Sequence, residues 1–364
     1  MSSDTQFKGT ILVTGGGGYL GAHIVGAALE KGYAVRLTAR TPTSVSSAIA
    51  QHPAHYSSSG QLTGYTVADI TSVEAFAAVF RPAGSPVSGI IHSASPFNLS
   101  PVSAEADLLV PAVQGSTAVL EAAVRYGGGE VSRVVATSSF AAVCDPARGR
   151  RPGYTYTEAD WNPVTWEEAA APGAPRGVAY AASKGLAERA MRTWLASQSP
   201  QPFTLTTLCP GWIFGPYLNS PVPSHPCESI RQLLLLLSPS PNPTSSPPLP
   251  PFDFALSADV TDVAQAHVRA LEVEPASAVD ARFILGTELR YGAAAQAARD
   301  AFPTIKGRFA DPREGEAEEQ KEGGVYAVDG SAAERVLGVR YTGLGETVVR
   351  TFEQVLGRER EVKV

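Results

Sequence analysis

Tyr180 and Lys184 stand four residues apart in the stretch YAASK, a spacing that places two side chains on one face of a helix. A nearby ammonium favours the phenolate, so Lys184 is expected to lower the phenol pKa of Tyr180 from its ordinary value of about 10. A tyrosine tuned in this way exchanges a proton with a substrate oxygen more readily at neutral pH. This pair predicts carbonyl chemistry, although the same spacing also occurs on amphipathic surface helices.

Two serines at the end of the apolar run RVVATSS could complete such a site. In open α/β sheets ligands bind at the carboxyl ends of the strands, where Ser138 and Ser139 are expected. A serine hydroxyl there could polarise a carbonyl and stabilise the charge that develops on its oxygen. We assign this role to Ser139 because it lies further beyond the strand; either serine could instead only hydrogen-bond the strand end. Ser139, Tyr180 and Lys184 form the predicted catalytic set.

A glycine-rich turn, TGGGGYLG at residues 14–21, lies between an apolar run and a segment with helical periodicity. In such turns the first glycine allows the tight bend, the second lets backbone N–H groups approach a pyrophosphate, and the third lets the helix pack closely on the strand. The helix N-terminus adds a partial positive charge. The residues of this turn predicted to contact a dinucleotide are Thr14, Gly15, Gly18, Tyr19, Leu20 and Gly21.

The next strand, YAVRLTAR, predicts which dinucleotide binds. Sites for NAD usually place an acid at the end of this strand, where it binds the ribose 2′-hydroxyl. Here Thr38 and Ala39 occupy that end, and Arg40 can bind a 2′-phosphate through charge-assisted hydrogen bonds. We therefore expect NADP(H) to be preferred over NAD(H). Asp69 and Ile70 follow the third strand, where an adenine would lie, although Asp69 could equally cap a helix.

Apolar runs alternate with helical patterns along the first 210 residues, which predicts a parallel, doubly wound sheet. We place strands near 10–14, 34–39, 64–68, 88–93, 132–138 and 203–209, with another at 281–285. Helices are expected near 19–31, 72–80, 105–126, 178–198 and 259–273. The fold class is therefore α/β, a Rossmann-type sheet with a smaller C-terminal α/β substrate domain. The proline-rich stretch 238–251 is expected to form a surface loop, and the charged stretch 311–324 a solvated insertion.

Composition narrows the possible partners. The chain has 364 residues, 44% of them hydrophobic, and a net charge of −6, which offers no electrostatic attraction for nucleic acid or an anionic membrane. The longest leucine run is too short to cross a bilayer, and the polar N-terminus does not resemble a secretory signal. Three widely spaced cysteines form no metal pattern. We expect a cytoplasmic monomer or homodimer that acts on a small molecule and holds no metal.

Six motifs occur in an order that resembles the extended short-chain dehydrogenase/reductases, and within them the branch of dihydroflavonol reductases and fungal or yeast aldehyde and ketone reductases. The motifs are TGGGGYLG, GIIHSASPF, RVVATSSFAAV, YAASK, CPGWIFGP and DVTDVAQAHVRALE. The resemblance implies the same catalytic set, reduction of a carbonyl, and a Rossmann domain over 1–210 and 252–288 with a substrate domain over 211–251 and 289–364. Plant members often carry a second basic residue after the Arg40 position, whereas TPTSVSS has none.

The resemblance also extends the predicted site. Further cofactor contacts are predicted at His92, Ser93, Ala94, Ser95, Thr137, Tyr180, Lys184, Pro210 and Ile213. Phe97, Trp212 and Tyr217 are expected to line an apolar pocket, which suits a hydrophobic or aromatic carbonyl compound.

Two other functions remain open on this fold. Nucleotide-sugar epimerases and dehydratases also use a tyrosine and a lysine, but they usually retain NAD and so favour an acid where Thr38 and Ala39 stand. A non-catalytic dinucleotide sensor would tend to lose the Tyr180–Lys184 pair. Because Arg40 and the catalytic set both favour an NADPH-dependent reductase, we prefer that hypothesis.

Overall fold

A parallel sheet of seven strands forms the centre of the protein in the computed structural model, which describes residues 7–82, 85–95, 103–218, 222–273, 281–313 and 324–361. Its strands are β1 (Thr10–Thr14), β2 (Ala34–Ala39), β3 (Leu62–Thr66), β4 (Val87–His92), β5 (Arg133–Thr137), β7 (Thr204–Pro210) and β10 (Arg282–Leu285). They lie in the order β10-β7-β5-β4-β1-β2-β3. The order reverses between β1 and β4, which is where ligands bind in doubly wound sheets.

Helices cover both faces of this sheet. The helices of the described residues are α1 (Tyr19–Glu30), α2 (Pro42–Ala50), α3 (Ala54–Ser58), α4 (Ala77–Phe80), α5 (Val110–Tyr126), α6 (Trp166–Ala170), α7 (Arg176–Ala196), α8 (Glu228–Leu234), α9 (Val260–Glu272), α10 (Tyr291–Ala301) and α11 (Leu344–Glu361). Of these, α8, α10 and α11 pack in a separate C-terminal core instead. Apolar residues of α1 and α9 fill the core on one face, and those of α5 and α7 fill the core on the other. The strands are therefore buried on both sides, as their continuous apolar runs indicate. The predicted fold class is confirmed.

Most predicted elements lie within about two residues of their observed bounds. The helix predicted at 105–126 starts with a π-helical segment, Glu105–Leu109, and continues as α5. The helix predicted at 72–80 is a 3₁₀ turn, Glu74–Phe76, followed by the single turn α4. Helix α2 was not predicted, although its start has a clear signal: Thr41 accepts a hydrogen bond from the Ser44 backbone, and Pro42 takes the first helical position.

A second, smaller core lies in the C-terminal part of the chain. Its fully buried aromatic residues are Phe214, Phe309 and Phe352, packed with leucines of α8 and alanines of α10. A short sheet, β8 (Trp212–Phe214), β9 (Leu256–Asp259) and β11 (Thr287–Glu288), connects this core to the main sheet. A further parallel pair joins β6 (Thr155–Tyr156) to β12 (Ala327–Val328).

The proline-rich stretch 238–251 forms a loop without helix or strand, as predicted. Its Ser246 hydroxyl donates to the Gly307 carbonyl, and Leu249 packs on the second core. Of the charged stretch at 311–324, residues 314–323 lie outside the described residues.

Candidate active site

The glycine turn after β1 has the close contacts that its spacing predicts. Gly15 has a φ of +69°, which favours glycine, and a Cβ there would lie 3.0 Å from the Ala94 backbone. A Cβ at Gly21 would overlap the Gly15 carbonyl oxygen, so α1 packs on the turn only because Gly21 has no side chain. Gly18 is the N-cap of α1. The turn thus brings a helix N-terminus to the edge of the sheet, where phosphate groups bind.

A groove of about 980 Å³ runs from this turn across the ends of β1, β2 and β3. The residues predicted to bind cofactor that line it are Gly15, Gly18, Arg40, Asp69, Ile70, Ser93, Ala94 and Ser95. The volume and the glycine edge fit a dinucleotide. The groove joins segments that lie up to 96 residues apart in the chain, from Gly15 to Pro111.

The rim of the groove beside Arg40 suits an anion. The side chain of Arg40 is exposed, and Thr41, Thr43 and Ser44 at the start of α2 line the same rim. A helix N-terminus and a guanidinium both favour negative charge. The last residues of β2 carry no carboxylate that would repel a 2′-phosphate. These residues fit NADP(H) better than NAD(H).

Asp69 also lines the groove, three residues beyond the end of β3. Its carboxylate accepts hydrogen bonds from the backbone and the hydroxyl of Thr71, at 2.8 and 2.7 Å. These bonds hold the pKa of Asp69 below its usual range. Asp69 thus stabilises a turn on the groove wall, and it is not the N-cap of the following 3₁₀ turn, which is Val73.

Thr14 and His92 connect β1 to β4 beneath the groove. The Thr14 hydroxyl lies 2.9 Å from His92 Nδ1 and accepts hydrogen bonds from the backbones of Ser93 and Ala94. Burial lowers the pKa of His92 to about 4, so its imidazole is neutral at pH 7. Both side chains therefore shape the groove wall by fixing the segment that follows β4.

Ser139, Tyr180 and Lys184 meet at the carboxyl end of β5. The Ser139 hydroxyl hydrogen-bonds the Tyr180 phenol and accepts a hydrogen bond from the Ala141 backbone. The Lys184 Nζ lies 5.6 Å from the centroid of the Tyr180 ring and donates to the Ser95 hydroxyl at 2.8 Å. Ser138, by contrast, turns its hydroxyl to the buried Glu188 carboxylate. The geometry therefore places Ser139, and not Ser138, beside Tyr180.

Burial shifts the pKa values of Tyr180 and Lys184. It raises the pKa of Tyr180 to about 12, with the Ser139 hydrogen bond acting in the opposite direction. The expectation of a Tyr180 pKa below its ordinary value is therefore wrong for this structure, because desolvation of the phenolate outweighs the lowering by the Ser139 hydrogen bond. Burial also lowers the pKa of Lys184 to about 8. At pH 7 the phenol is neutral and able to donate a proton.

A sequence profile of the NAD dependent epimerase/dehydratase family matches residues 11–285. The chain belongs to this family. It is 30% identical to the NADPH-dependent methylglyoxal reductase Gre2 of Saccharomyces cerevisiae over 97% of this chain and 100% of that protein. It is also 30% identical to the ketoreductase azaE of Aspergillus niger, over 94% of this chain and 98% of that protein.

Solved structures agree with this assignment to the epimerase/dehydratase family. The crystal structure of yeast methylglyoxal/isovaleraldehyde reductase Gre2 complexed with NADPH matches with a TM-score of 0.84 at 29% identity, and the match covers 96% of this chain and 99% of that one. The resemblance to extended short-chain dehydrogenase/reductases is confirmed. The relatives named here are reductases, which agrees with the prediction of an oxidoreductase.

Two predicted site residues, Tyr19 and Tyr217, do not line the groove. Tyr19 donates its hydroxyl to the Gly215 carbonyl and packs on Tyr217, with ring centroids 4.8 Å apart. The Tyr217 hydroxyl accepts a hydrogen bond from the Cys227 backbone. These two tyrosines connect α1 to the segment after β8, so their hydroxyls are already used within the protein.

The remaining predicted residues lie on α1, on the sheets or outside the described residues. Leu20 packs in the core, and the Thr137 hydroxyl lies 2.8 Å from Nε2 of buried His267. Pro210 ends β7, and Ile213 lies in β8 against the core. Phe97 falls within 96–102, outside the described residues.

Trp212 belongs to a polar cluster that the sequence did not predict. Its indole N–H donates to the Asp253 carboxylate at 3.0 Å, and Gln232 and Tyr291 donate to the same carboxylate. Burial raises the pKa of Asp253, although these donors act against the shift. The residues come from four separate segments, so only the fold brings them together.

Glu188 is a second residue that sequence reasoning missed. It lies four residues after Lys184 on α7, so the helical spacing that selected Tyr180 and Lys184 also includes it. Its carboxylate is 1% exposed and pairs with Arg282 at 2.8 Å.

The described residues include no helix long and apolar enough to cross a membrane, and no cluster of three or more acidic, histidine or cysteine side chains suited to a metal ion.

Proposed function

We propose that the protein uses NADPH to reduce an aldehyde or ketone, most readily a hydrophobic or aromatic one, with Tyr180 as the proton donor. The observation that carries the proposal is the contact between Ser139 and the neutral Tyr180 phenol at the edge of the sheet, beside a groove that fits a dinucleotide. Its relatives include an NADPH-dependent methylglyoxal reductase and a ketoreductase, which supports the same chemistry.

Each side chain has a definite task in this reaction. The groove and Arg40 hold NADPH, which supplies a hydride to the carbonyl carbon. The Ser139 hydroxyl donates a hydrogen bond to the carbonyl oxygen and stabilises its growing negative charge. Tyr180 then gives its proton to that oxygen, and its raised pKa keeps the proton available across the neutral range.

Lys184 supports both binding and proton transfer. Its Nζ already donates to Ser95 on the groove wall, so the lysine lies between the cofactor groove and the Tyr180 ring. We propose that it holds the ribose next to the nicotinamide and that its charge assists the phenol while the proton leaves.

The substrate side is proposed to include Trp212. The Trp212 indole is half-buried and lies 6.0 Å from the Phe254 ring, next to a cluster that includes Phe140, which directly follows Ser139. We propose that the half-buried rings of Trp212 and Phe254 offer an apolar surface, which favours aromatic or branched carbonyl compounds over small charged ones.

The test is a panel of aliphatic and aromatic aldehydes and ketones, each assayed with NADPH and with NADH. Cofactor consumption and alcohol formation are measured together, and a nucleotide sugar with NAD⁺ is included. We expect NADPH-dependent alcohol formation, fastest with hydrophobic carbonyls. Turnover of the nucleotide sugar alone, or preference for NADH throughout, would contradict the proposal.

A further inference from the structure

We propose that Glu188 is a positioning residue that holds Ser139 against Tyr180 through Ser138. This inference rests on the proposed function. The Glu188 carboxylate on α7 bonds Ser138 after β5, Thr207 on β7 and Arg282 on β10.

The first contact is with the residue next to the catalytic serine. The Ser138 hydroxyl donates to Glu188 Oε2 at 2.6 Å, and both residues are buried. Ser138 and Ser139 are adjacent, so fixing one side chain restricts the backbone torsions that aim the other. Glu188 shares α7 with Tyr180 and Lys184, and the bond therefore links the helix that carries the proton donor to the loop that carries the serine.

The second contact holds the residues that follow Ser139. Ser139 starts a 3₁₀ turn in which the Ala142 N–H donates to the Ser139 carbonyl. The Ala142 carbonyl in turn accepts a hydrogen bond at 3.0 Å from Arg282. Because Arg282 is also the ion-pair partner of Glu188, at 2.8 Å, one buried ion pair restrains the turn on both sides of Ser139.

Arg282 is itself held firmly. Its guanidinium donates to the carbonyls of Glu158 and Asp160 and lies 3.8 Å from the centroid of the Trp161 ring. Burial raises the pKa of Glu188, but Arg282 together with the Ser138 and Thr207 hydroxyls outweighs it and holds that pKa below its usual range. The carboxylate is therefore charged at neutral pH and keeps all of these bonds.

Ser138 and Thr207 give a matched pair of variants. Both donate a hydroxyl to Glu188, at 2.6 and 2.7 Å, but only Ser138 adjoins the catalytic serine. Replacing Glu188 itself would leave Arg282 as an unpaired buried cation, so its loss could unfold the protein. Ser138→Ala and Thr207→Val leave the ion pair in place and separate positioning from stability.

We expect Ser138→Ala to lower kcat about tenfold with little change in KM or in NADPH affinity, because misaimed catalytic groups slow the chemical step. Thr207→Val should keep kcat within about twofold of wild type. In a Ser139→Ala background, Ser138→Ala should have no further effect, since residues that act through one another are not additive. Ser138→Thr restores the hydroxyl and should recover most of the rate; a cavity of about 30 Å³ beside Ser138 offers room for its methyl group.

Equal losses of kcat in Ser138→Ala and Thr207→Val, or additive losses in the double variant with Ser139→Ala, would overturn the proposal. The crystal structure of Ser138→Ala provides a readout that does not depend on the reaction. Loss of the contact between the Ser139 hydroxyl and the Tyr180 phenol is expected, and an intact contact would overturn the inference. A wild-type protein that reduces no carbonyl in the panel would instead contradict the proposed function.

Discussion

The cofactor groove and the Trp212 cluster are built in different ways. The groove takes its walls from short segments that directly follow strands, such as Gly15 after β1, Arg40 after β2 and Ser95 after β4. The Trp212 cluster collects Gln232, Asp253 and Tyr291 from segments separated by loops. The topology of the sheet assembles most of the groove, with residues of α2 at its rim, whereas the cluster depends on the packing of the C-terminal core.

This difference implies that cofactor binding at the groove and substrate binding near the Trp212 cluster can be changed separately. Substitutions at the groove should alter the affinity for NADPH, and substitutions in the Trp212 cluster should alter KM for the carbonyl substrate. Two substitutions test this separation, and Arg40→Ala is expected to have a larger effect than Asp253→Asn.

Arg40→Ala should weaken NADPH binding by roughly ten- to a hundredfold, since a charge-assisted contact contributes about 1.5–3 kcal/mol. NADH lacks the 2′-phosphate, so its affinity should hardly change. Titration of both cofactors against wild type and variant measures this. Arg148→Ala is the matched control, because it removes an exposed arginine that pairs with Asp145. Equal weakening of NADPH and NADH would show that Arg40 has only a structural role.

Asp253→Asn should raise KM for bulky aromatic carbonyls roughly three- to tenfold and leave NADPH affinity unchanged. The substitution places an amide N–H₂ among three side-chain donors and the Phe254 backbone N–H, so the Trp212 indole loses a hydrogen bond worth about 1 kcal/mol. Glu105→Gln is the control, because Glu105 accepts a similar indole bond from Trp166, also at 3.0 Å. If both variants changed KM alike, or if Asp253→Asn weakened NADPH instead, the separation between the two sides would fail.

The same difference explains what the sequence could predict. Strand and helix periodicity, the glycine turn and the Tyr180–Lys184 spacing are local patterns, and parallel topology brings strand ends to one edge. The sheet, most of the groove and the choice of Ser139 beside Tyr180 follow from such patterns. Helix α2 was missed although Thr41 and Pro42 mark its start, because the segment has a weak apolar pattern.

Other features depend on burial or on contacts between residues far apart in the chain, and local patterns could not predict them. Glu188 and Arg282 are 94 residues apart, and nothing local indicates that they pair. The direction of the Tyr180 pKa shift depends on how deeply the ring is buried, which residue spacing does not report. Tyr19 and Tyr217, predicted to contact cofactor and substrate, also join α1 to the segment after β8, a contact that local patterns do not indicate.

The most direct test of the central claim is the comparison of kcat and NADPH affinity in Tyr180→Phe. The substitution removes the phenol hydroxyl and keeps the ring, so proton donation is lost and packing is preserved. Tyr33→Phe serves as the control, because it removes the hydroxyl of a buried tyrosine that bonds Glu272, far along the chain from the catalytic set. We predict a fall in kcat of about 10²–10⁴-fold for Tyr180→Phe, with an NADPH dissociation constant close to that of wild type. A variant that kept more than about half of the wild-type kcat on the best carbonyl substrate would contradict the account.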